Sequence, residues 1–379
     1  MTTTESPGSD ATGRAAHAGT DVLGHAAARR RALSWTAALT LALLVTLVFS
    51  VCFGSVSVSP ADSARILAHH LLGTGLEVQG GTDLARHDAV IWTIRAPRAV
   101  LGAAVGAGLA VAGVVLQATV RNILADPYVL GVNSGASVGA ATAILTGVGT
   151  GMGAGLGDYV LQTSAFLGAV VASFVVFGVA RSGGRITPTR LIMAGVAIGY
   201  ALSALTSFLI FASDSAESSR SVMFWLLGSL GLASWSGPLA AVVVVVLVVT
   251  ALLLVLGPRL DALTAGDDTA LTLGVNPERM RILLLVLSCL LVGTVVAMAG
   301  SIGFVGLVVP HLARRLVGGA HRAVIPVCAL LGAVLLCWAD IGSRTLLAPQ
   351  EIPVGIITAL VGAPFLLILV RRMHHGVAP

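Results

Sequence analysis

The sequence predicts an all-α membrane protein with about ten transmembrane helices. Three observations carry this: apolar residues dominate, charge is scarce, and apolar windows of spanning length recur along the chain. Of 379 residues, 56% are hydrophobic and 10% charged, with a mean hydropathy of +0.96. Soluble domains carry roughly 25% charged residues, so lipid is the solvent for most of this chain. The formal net charge is +5, and all 22 residues of the Lys+Arg total are arginine. They lie between apolar runs rather than along one face or tail, unlike a nucleic-acid footprint. Without lysine the chain can form neither a Walker A loop nor a pyridoxal Schiff base. There is no HExxH motif and no nucleophile with a positioned base, so no catalytic residue, metal ligand or cofactor is expected. Any ATP must be hydrolysed by another subunit.

Residues 1 to about 32 lack apolar periodicity and end in Arg29, Arg30 and Arg31, which predicts a disordered cytoplasmic tail. The membrane domain is then 33–379. Its first run, Leu33 to Phe53, is long enough to span and too long for a signal-peptide core. Windows near 20 residues predict spans at 33–53, 99–120, 128–148, 159–180, 191–211, 237–256, 282–300, 303–317, 323–341 and 353–370. With the N-terminus inside, sixteen of the 22 arginines fall on the cytoplasmic side, as the positive-inside rule requires. Both termini are then cytoplasmic.

Ser59-Pro60, Asp126-Pro127, Thr187-Pro188 and Asn276-Pro277 each place a capping side chain before a proline, and a helix is expected to begin at each. After Pro60, the apolar positions Ala64, Ile66, Leu67 and Leu71 form an external amphipathic helix that either covers the bundle or docks a partner. Gly102/Gly106 and Gly131/Gly135/Gly139 allow close backbone approach. Cys52, Cys289, Cys328 and Cys337 lie in apolar runs without a CxxC pair, as small buried hydrophobes.

Arg98 to Gly139 and Arg281 to Pro310 both read as a long span followed by a Gly/Pro-broken segment, of opposite orientation. Inverted repeats with broken helices are a transporter pattern. The loop 257–281 carries Gly266-Asp267-Asp268, an apolar set at Ala270, Leu271 and Leu273, and a stop at Gly274. These predict two short helices, suited either to a partner's groove or to lipid headgroups. His311 and Asp340 fall near membrane depth and are expected to satisfy backbone groups freed by nearby Pro and Gly. Glu351 either caps the last helix or meets Arg344.

From about residue 55 to 372 a series of strings occurs in order: Arg95-Ala-Pro-Arg98, Gln117, Asn122-Ile-Leu-Ala-Asp-Pro127, Leu130-Gly-Val-Asn-Ser-Gly-Ala-Ser-Val-Gly139, Leu191-Ile-Met-Ala-Gly195, Trp225-Leu-Leu-Gly-Ser229, Leu273-Gly-Val275, Gly303-Phe-Val-Gly-Leu-Val-Val-Pro-His311, Ala339-Asp340 and Pro353-Val-Gly-Ile356. In these the chain resembles the ABC-importer permeases for iron-siderophores, haem and cobalamin. The resemblance implies an inverted-repeat type II ABC importer permease fold in the inner membrane. It also implies a second permease subunit, identical or not, two ATPase subunits that bind Mg-ATP, and an extracytoplasmic binding protein. Arg95, Arg98 and Arg344 would meet acidic residues of that binding protein, since the arginine fork takes carboxylates bidentately. The cytoplasmic gate would be Asn122 with Leu124, and Thr187, Pro188 and Thr189. Coupling to the ATPase would fall on the loop helices through Asp261, Leu263, Gly266, Asp267, Asp268, Leu271 and Gly274. The cargo implied is a ferric siderophore, with haem and cobalamin as alternatives. The rival class is an ion-gradient-driven secondary transporter, which needs a carboxylate inside the membrane.

Overall fold

The structure, a computed structural model, describes residues 25–54, 58–73, 82–147, 157–181 and 187–375; the expected tail up to residue 24 lies outside them. Helix α1 (His25–Cys52) starts eight residues ahead of the predicted span. Residues 25–32, expected as tail, are rich in alanine and arginine, both strong helix formers, and simply extend the helix.

All four proline caps hold. Ser59 accepts from the Asp62 amide at the start of α2 (Pro60–Leu72), whose Ile66 is fully buried. The Asp126 side chain accepts from the Tyr128 amide, although this turn (Pro127–Leu130) is a 3-10 helix rather than α. Thr187 accepts from Arg190 at the start of α7 (Pro188–Phe211), and Asn276 from Arg279 at the start of α12 (Pro277–Ala299).

Helix α3 (Thr82–Asp88) runs through a π-helical segment (Ala89–Arg95) into α4 (Ala96–Val120). Pro97 in a regular α-helix would clash with the carbonyl of Thr93; the wider π turn ahead of it relieves this. After the 3-10 turn come α5 (Val132–Thr146), α6 (Gly157–Arg181), α7, α8 (Ala216–Leu226) and α9 (Gly237–Val255). A pair of short helices, α10 (Gly257–Ala265) and α11 (Asp267–Thr272), precedes α12. The chain ends with α13 (Val305–Val317), α14 (His321–Thr345) and α15 (Val354–His375).

Among the described residues, seven helices are long and apolar enough to cross a membrane. The other three predicted spans are shorter: α5 has 15 residues, α13 has 13, and the apolar part of α15 is Val354–Leu369. The central helices are α4 and α12, with 78% and 67% of their most apolar windows buried, against 22% for α1 and 17% for α7. Each central helix is followed by a break and a short helix, α5 after α4 and α13 after α12, which is the repeat expected from the sequence.

Backbone contact holds this core together. A Cβ built on Gly113 of α4 would lie 1.9 Å from the carbonyl oxygen of Gly306 in α13. One on Gly106 would lie 2.2 Å from the oxygen of Gly332 in α14. In lipid, where no water drives helices together, this intimacy of small residues supplies the packing. Cys289, Cys328 and Cys337 are buried and free, as expected, while Cys52 at the end of α1 is only half-buried.

Candidate functional site

Two charged clusters sit at opposite ends of α4, whose 25 residues extend about 37 Å. The first begins at Arg98. Its Nε donates to Asp340 Oδ1 and its Nη1 to Glu351 Oε2, both at 2.8 Å. Arg344, one turn after Asp340 on α14, places Nη2 2.9 Å from Asp340 Oδ2. Arg344 also donates to the carbonyl oxygens of Phe53 at 3.0 Å and Ser50 at 3.1 Å. Arg95 donates to the carbonyls of Val51 at 3.0 Å and Cys52 at 2.9 Å. A helix leaves its last four carbonyls without internal partners. Arg95 and Arg344 together supply them for α1, cationic groups at the negative end of a helix dipole.

Arg95, Arg98 and Arg344, expected to meet a binding protein, all lie within this network. They are 3%, 5% and 3% exposed, and their donor forks point into the chain. Asp340 (1% exposed) pairs with two arginines rather than with freed backbone groups, and Glu351 meets Arg98 rather than Arg344. Glu351 is the solvent-facing edge of the network, its side chain 42% exposed, and it borders a cleft of 510 Å³ lined also by Ser221, Trp225 and Ser229.

The second cluster gathers the α10–α11 hairpin onto three long helices. Asp261 on α10 accepts from the His321 amide at 3.0 Å and lies 2.5 Å from its Nδ1, capping the start of α14. Asp267 on α11 takes both Nη groups of Arg281 from α12, at 2.7 and 3.0 Å, and an Nη2 bond from Arg121 at the end of α4. Arg121 also donates Nε and Nη2 to the carbonyl of Leu263, at 3.1 and 2.9 Å. The hydrogen bonds from Arg281, backed by Arg121, hold the Asp267 carboxyl below the usual carboxylate range. Gly266 joins the two helices at φ 132°, and Gly274 ends the unit at φ 75°. On the outer side, Asp268 is exposed, and Leu271 and Leu273 are 57% and 65% exposed, while Ala270 is buried.

Arg121 is unusual in its backbone: φ 52° and ψ 38°, the left-handed position that closes α4. Glycine, and sometimes asparagine, is the usual residue there, and a long side chain such as arginine costs about 1–2 kcal/mol. The residue after it opens the first expected gate turn. Asn122 is exposed, and its Oδ1 accepts from the Leu124 amide at 2.9 Å. The second turn has Thr187 and Thr189 exposed and Pro188 half-buried. Both turns lie at the hairpin end, since α4 to α7 alternate in direction. Helix α7 abuts the 3-10 turn so closely that a Cβ on Gly195 would lie 1.7 Å from the Val129 oxygen.

The broken eighth span resolves through Gln117. Pro310 deprives the Gly306 carbonyl, four residues earlier, of its helical donor. Gln117 Nε2 reaches that oxygen and the Leu307 oxygen, each at 3.4 Å, while its Oε1 accepts from Arg314 at 2.5 Å. The role expected of His311 thus belongs to Gln117; the His311 ring instead lies edge-on to Phe365 at 6.3 Å. Tyr128 ties the two breaks together, its hydroxyl donating to the Ile302 carbonyl at 2.9 Å and accepting from the Ile302 amide at 3.0 Å.

Sequence reasoning assigned no site role to Arg121, Arg281, Arg314 or His321. Arg121 alone carries a local signal, a bulky residue at the helix stop before Asn122 where glycine is usual.

Comparison with known proteins agrees with this architecture. The profile of the FecCD transport family matches residues 42–372. A cobalamin import system permease protein of Halobacterium salinarum is 42% identical over 282 residues, covering 74% of this chain and 73% of its own. An Fe(3+)-citrate import system permease protein of Bacillus subtilis is 38% identical over 290 residues, covering 76% and 84%. A solved structure described as an inward-facing metal-chelate type ABC transporter superposes with a TM-score of 0.74 at 34% identity, over 90% of this chain and 99% of that one. The likeness extends across the helices that carry both clusters, and the chain belongs to the FecCD transport family, the permeases of ABC importers.

Proposed function

We propose that this permease conducts a ferric siderophore from an extracytoplasmic binding protein to the cytoplasm, driven by two ATPase subunits docked on the α10–α11 hairpin. One observation carries the energetic half of the reading. A lysine-free chain with no nucleotide-binding loop holds out two exposed leucines, Leu271 and Leu273, on a hairpin fastened by charge to α4, α12 and α14. An exposed apolar pair on a rigid mount is what a partner's groove needs. The hairpin end is then cytoplasmic, which agrees with the arginine asymmetry and places both termini inside the cell. The turns at Asn122–Leu124 and Thr187–Thr189 lie at that same end and form the gate.

Two further assignments complete the reading. A second permease subunit pairs with this one, supported by the sparse burial of α7. The binding protein docks over the Glu351 edge of the outer network and its adjoining cleft, since the three arginines beneath are committed inward.

For the cargo, iron chelate is supported by the Fe(3+)-citrate relative and by the metal-chelate neighbour. The cobalamin relative, at 42% identity, favours cobalamin as the second reading, with haem behind it. Uptake in a host deleted for its own permeases, carrying this chain with its ATPase and binding protein, decides among them. Radiolabelled ferric hydroxamate should accumulate; accumulation of labelled cobalamin or haem without iron chelate would replace the cargo and leave the permease reading intact. The rival secondary transporter would need a carboxylate inside the membrane to carry its ion, and Asp340, within the α14 span, is paired with Arg98 and Arg344.

A further inference from the structure

We infer that Arg121 is the positioning residue that transmits movement of the hairpin to the gate turn. The inference rests on the reading that α10–α11 docks an ATPase subunit, and goes beyond it by naming the link.

Three observations meet at this residue. The first is its backbone: Arg121 occupies a left-handed position favoured for glycine, one of two non-glycine residues with positive φ among the described residues. A chain that only needed to end α4 would place glycine there. The second is its side chain. Nε and Nη2 grip the Leu263 carbonyl at the end of α10, and Nη2 also meets Asp267 at the start of α11. Asp267 is held at the same time by Arg281. The guanidinium therefore closes onto both halves of the hairpin at its Gly266 joint, and Arg281 of α12 holds the same Asp267 carboxylate. The third is the adjoining turn. Asn122 is the next residue in the chain, and its side chain fixes the Leu124 amide, so the turn from 121 to 124 is a single hydrogen-bonded piece. The amide of Asn122 is also fastened to the Gln117 carbonyl at 3.2 Å.

A displacement of the hairpin by a docked partner thus pulls directly on Arg121 through its bonds to Leu263 and Asp267, and the turn moves with it. Coupling between distant sites needs such a contiguous element biased by both. Asp267 gains a different role from the one expected of it. Its carboxylate anchors the hairpin to Arg121 and Arg281 while its side chain stays 45% exposed, and Asp268 beside it is exposed as well.

The variant Arg121→Gly separates this role from a merely structural one, because glycine relieves the left-handed backbone while deleting the grip. The full complex of this chain with its ATPase subunits in lipid nanodiscs would carry Ile123→Cys, an exposed position in the turn, with Cys52 replaced by alanine. Labelling by a charged maleimide is timed with and without Mg-ATP and vanadate. In the Arg121 parent the labelling rate should change at least about fivefold with nucleotide. In Arg121→Gly and Asp267→Asn the change should fall below about twofold, with ATPase subunits still bound and, in Arg121→Gly, the complex as thermostable as the parent. Arg121→Lys should fall between. A parental response in both Arg121→Gly and Asp267→Asn overturns the inference, as does an Arg121 parent that binds the ATPase but shows no response. If the unsubstituted chain binds no ATPase subunit, the docking reading fails first and the inference with it. Should Arg121→Gly not fold, Arg121→Lys and Asp267→Asn carry the same comparison.

Discussion

Asp340→Ala should cost about 3–5 kcal/mol and abolish recovery of a monodisperse protein in mild detergent. The carboxylate is 1% exposed and lies between the guanidinium groups of Arg98 and Arg344, themselves almost fully buried. Removing one partner of a buried ion pair leaves uncompensated charge, and that penalty far exceeds the net worth of the pair. Here two like charges would be left facing each other, with only Glu351 still bound to Arg98. The loss would spread to α1, because Arg344 also supplies hydrogen bonds to the Ser50 and Phe53 carbonyls. Asp340→Asn keeps the shape and one acceptor, so its loss should be smaller. Glu351→Gln, at a partly exposed site, should be milder still. Thermal unfolding followed by size-exclusion chromatography checks the order; equal stability of Asp340→Ala and the parent would show that the network is ornamental.

The same network marks where reading the sequence stopped. Charged residues at span ends default to water, so Arg95, Arg98 and Arg344 read as surface groups. Apart from Asp340 and Arg344, one turn apart on α14, the partners lie on other elements: Arg98 meets Asp340 across 242 residues, and Arg344 meets Phe53 across 291. No local pattern announces such pairs. Hydropathy windows, by contrast, are local, and all ten predicted spans have a helix, with α1 extended and α5 and α13 shorter than a full span. The proline caps were equally legible, since Ser, Asp, Thr or Asn before proline is a chemical instruction contained in two residues. The hairpin's existence was legible from Gly266-Asp267-Asp268 and Gly274. That Asp267 pairs with both Arg121 and Arg281 depends on where α4 and α12 bring those arginines in space.

Gly113→Ala is the second large effect expected. The added methyl would lie 1.9 Å from the Gly306 oxygen and 2.8 Å from its Cα, both backbone atoms of a helix already interrupted at Pro310. Neither can rotate away, so α4 and α13 must separate. Overpacking ordinarily costs about 1–3 kcal/mol, and a clash with backbone falls at or above the upper end. Separation would also lengthen the 3.4 Å bonds from Gln117 to the Gly306 and Leu307 carbonyls, exposing the acceptor that Pro310 leaves bare. Gly178→Ala in α6 is the control, since a Cβ there meets nothing within 4 Å. Gly113→Ala should lower the melting temperature sharply and Gly178→Ala should leave it unchanged or slightly raised; matching behaviour of the two would mean the α4–α13 approach is looser than described. Sequence spacing pointed to Gly102 and Gly106 but not to Gly113, one turn pair further along the same face. Of the first two, Gly106 makes the backbone contact, while Gly102 meets the side chain of Leu230.

The two ends of α4 thus divide the labour. One end is locked by buried charge that holds α1, α14 and the last loop together; the other joins the α10–α11 hairpin to a polar turn. Under the proposed reading, a helix fixed at one end and pulled at the other carries the gating that an outside partner drives. Reconstituting the purified chain in vesicles, alone and with its ATPase subunits and binding protein, tests that external drive most directly, with radioactive ferric hydroxamate, haem and cobalamin as the solutes followed. Accumulation should require the ATPase subunits and hydrolysable ATP, and a proton or sodium gradient should give none without them. Uphill accumulation of any of the three by the isolated chain under an ion gradient would contradict a permease powered by its neighbours.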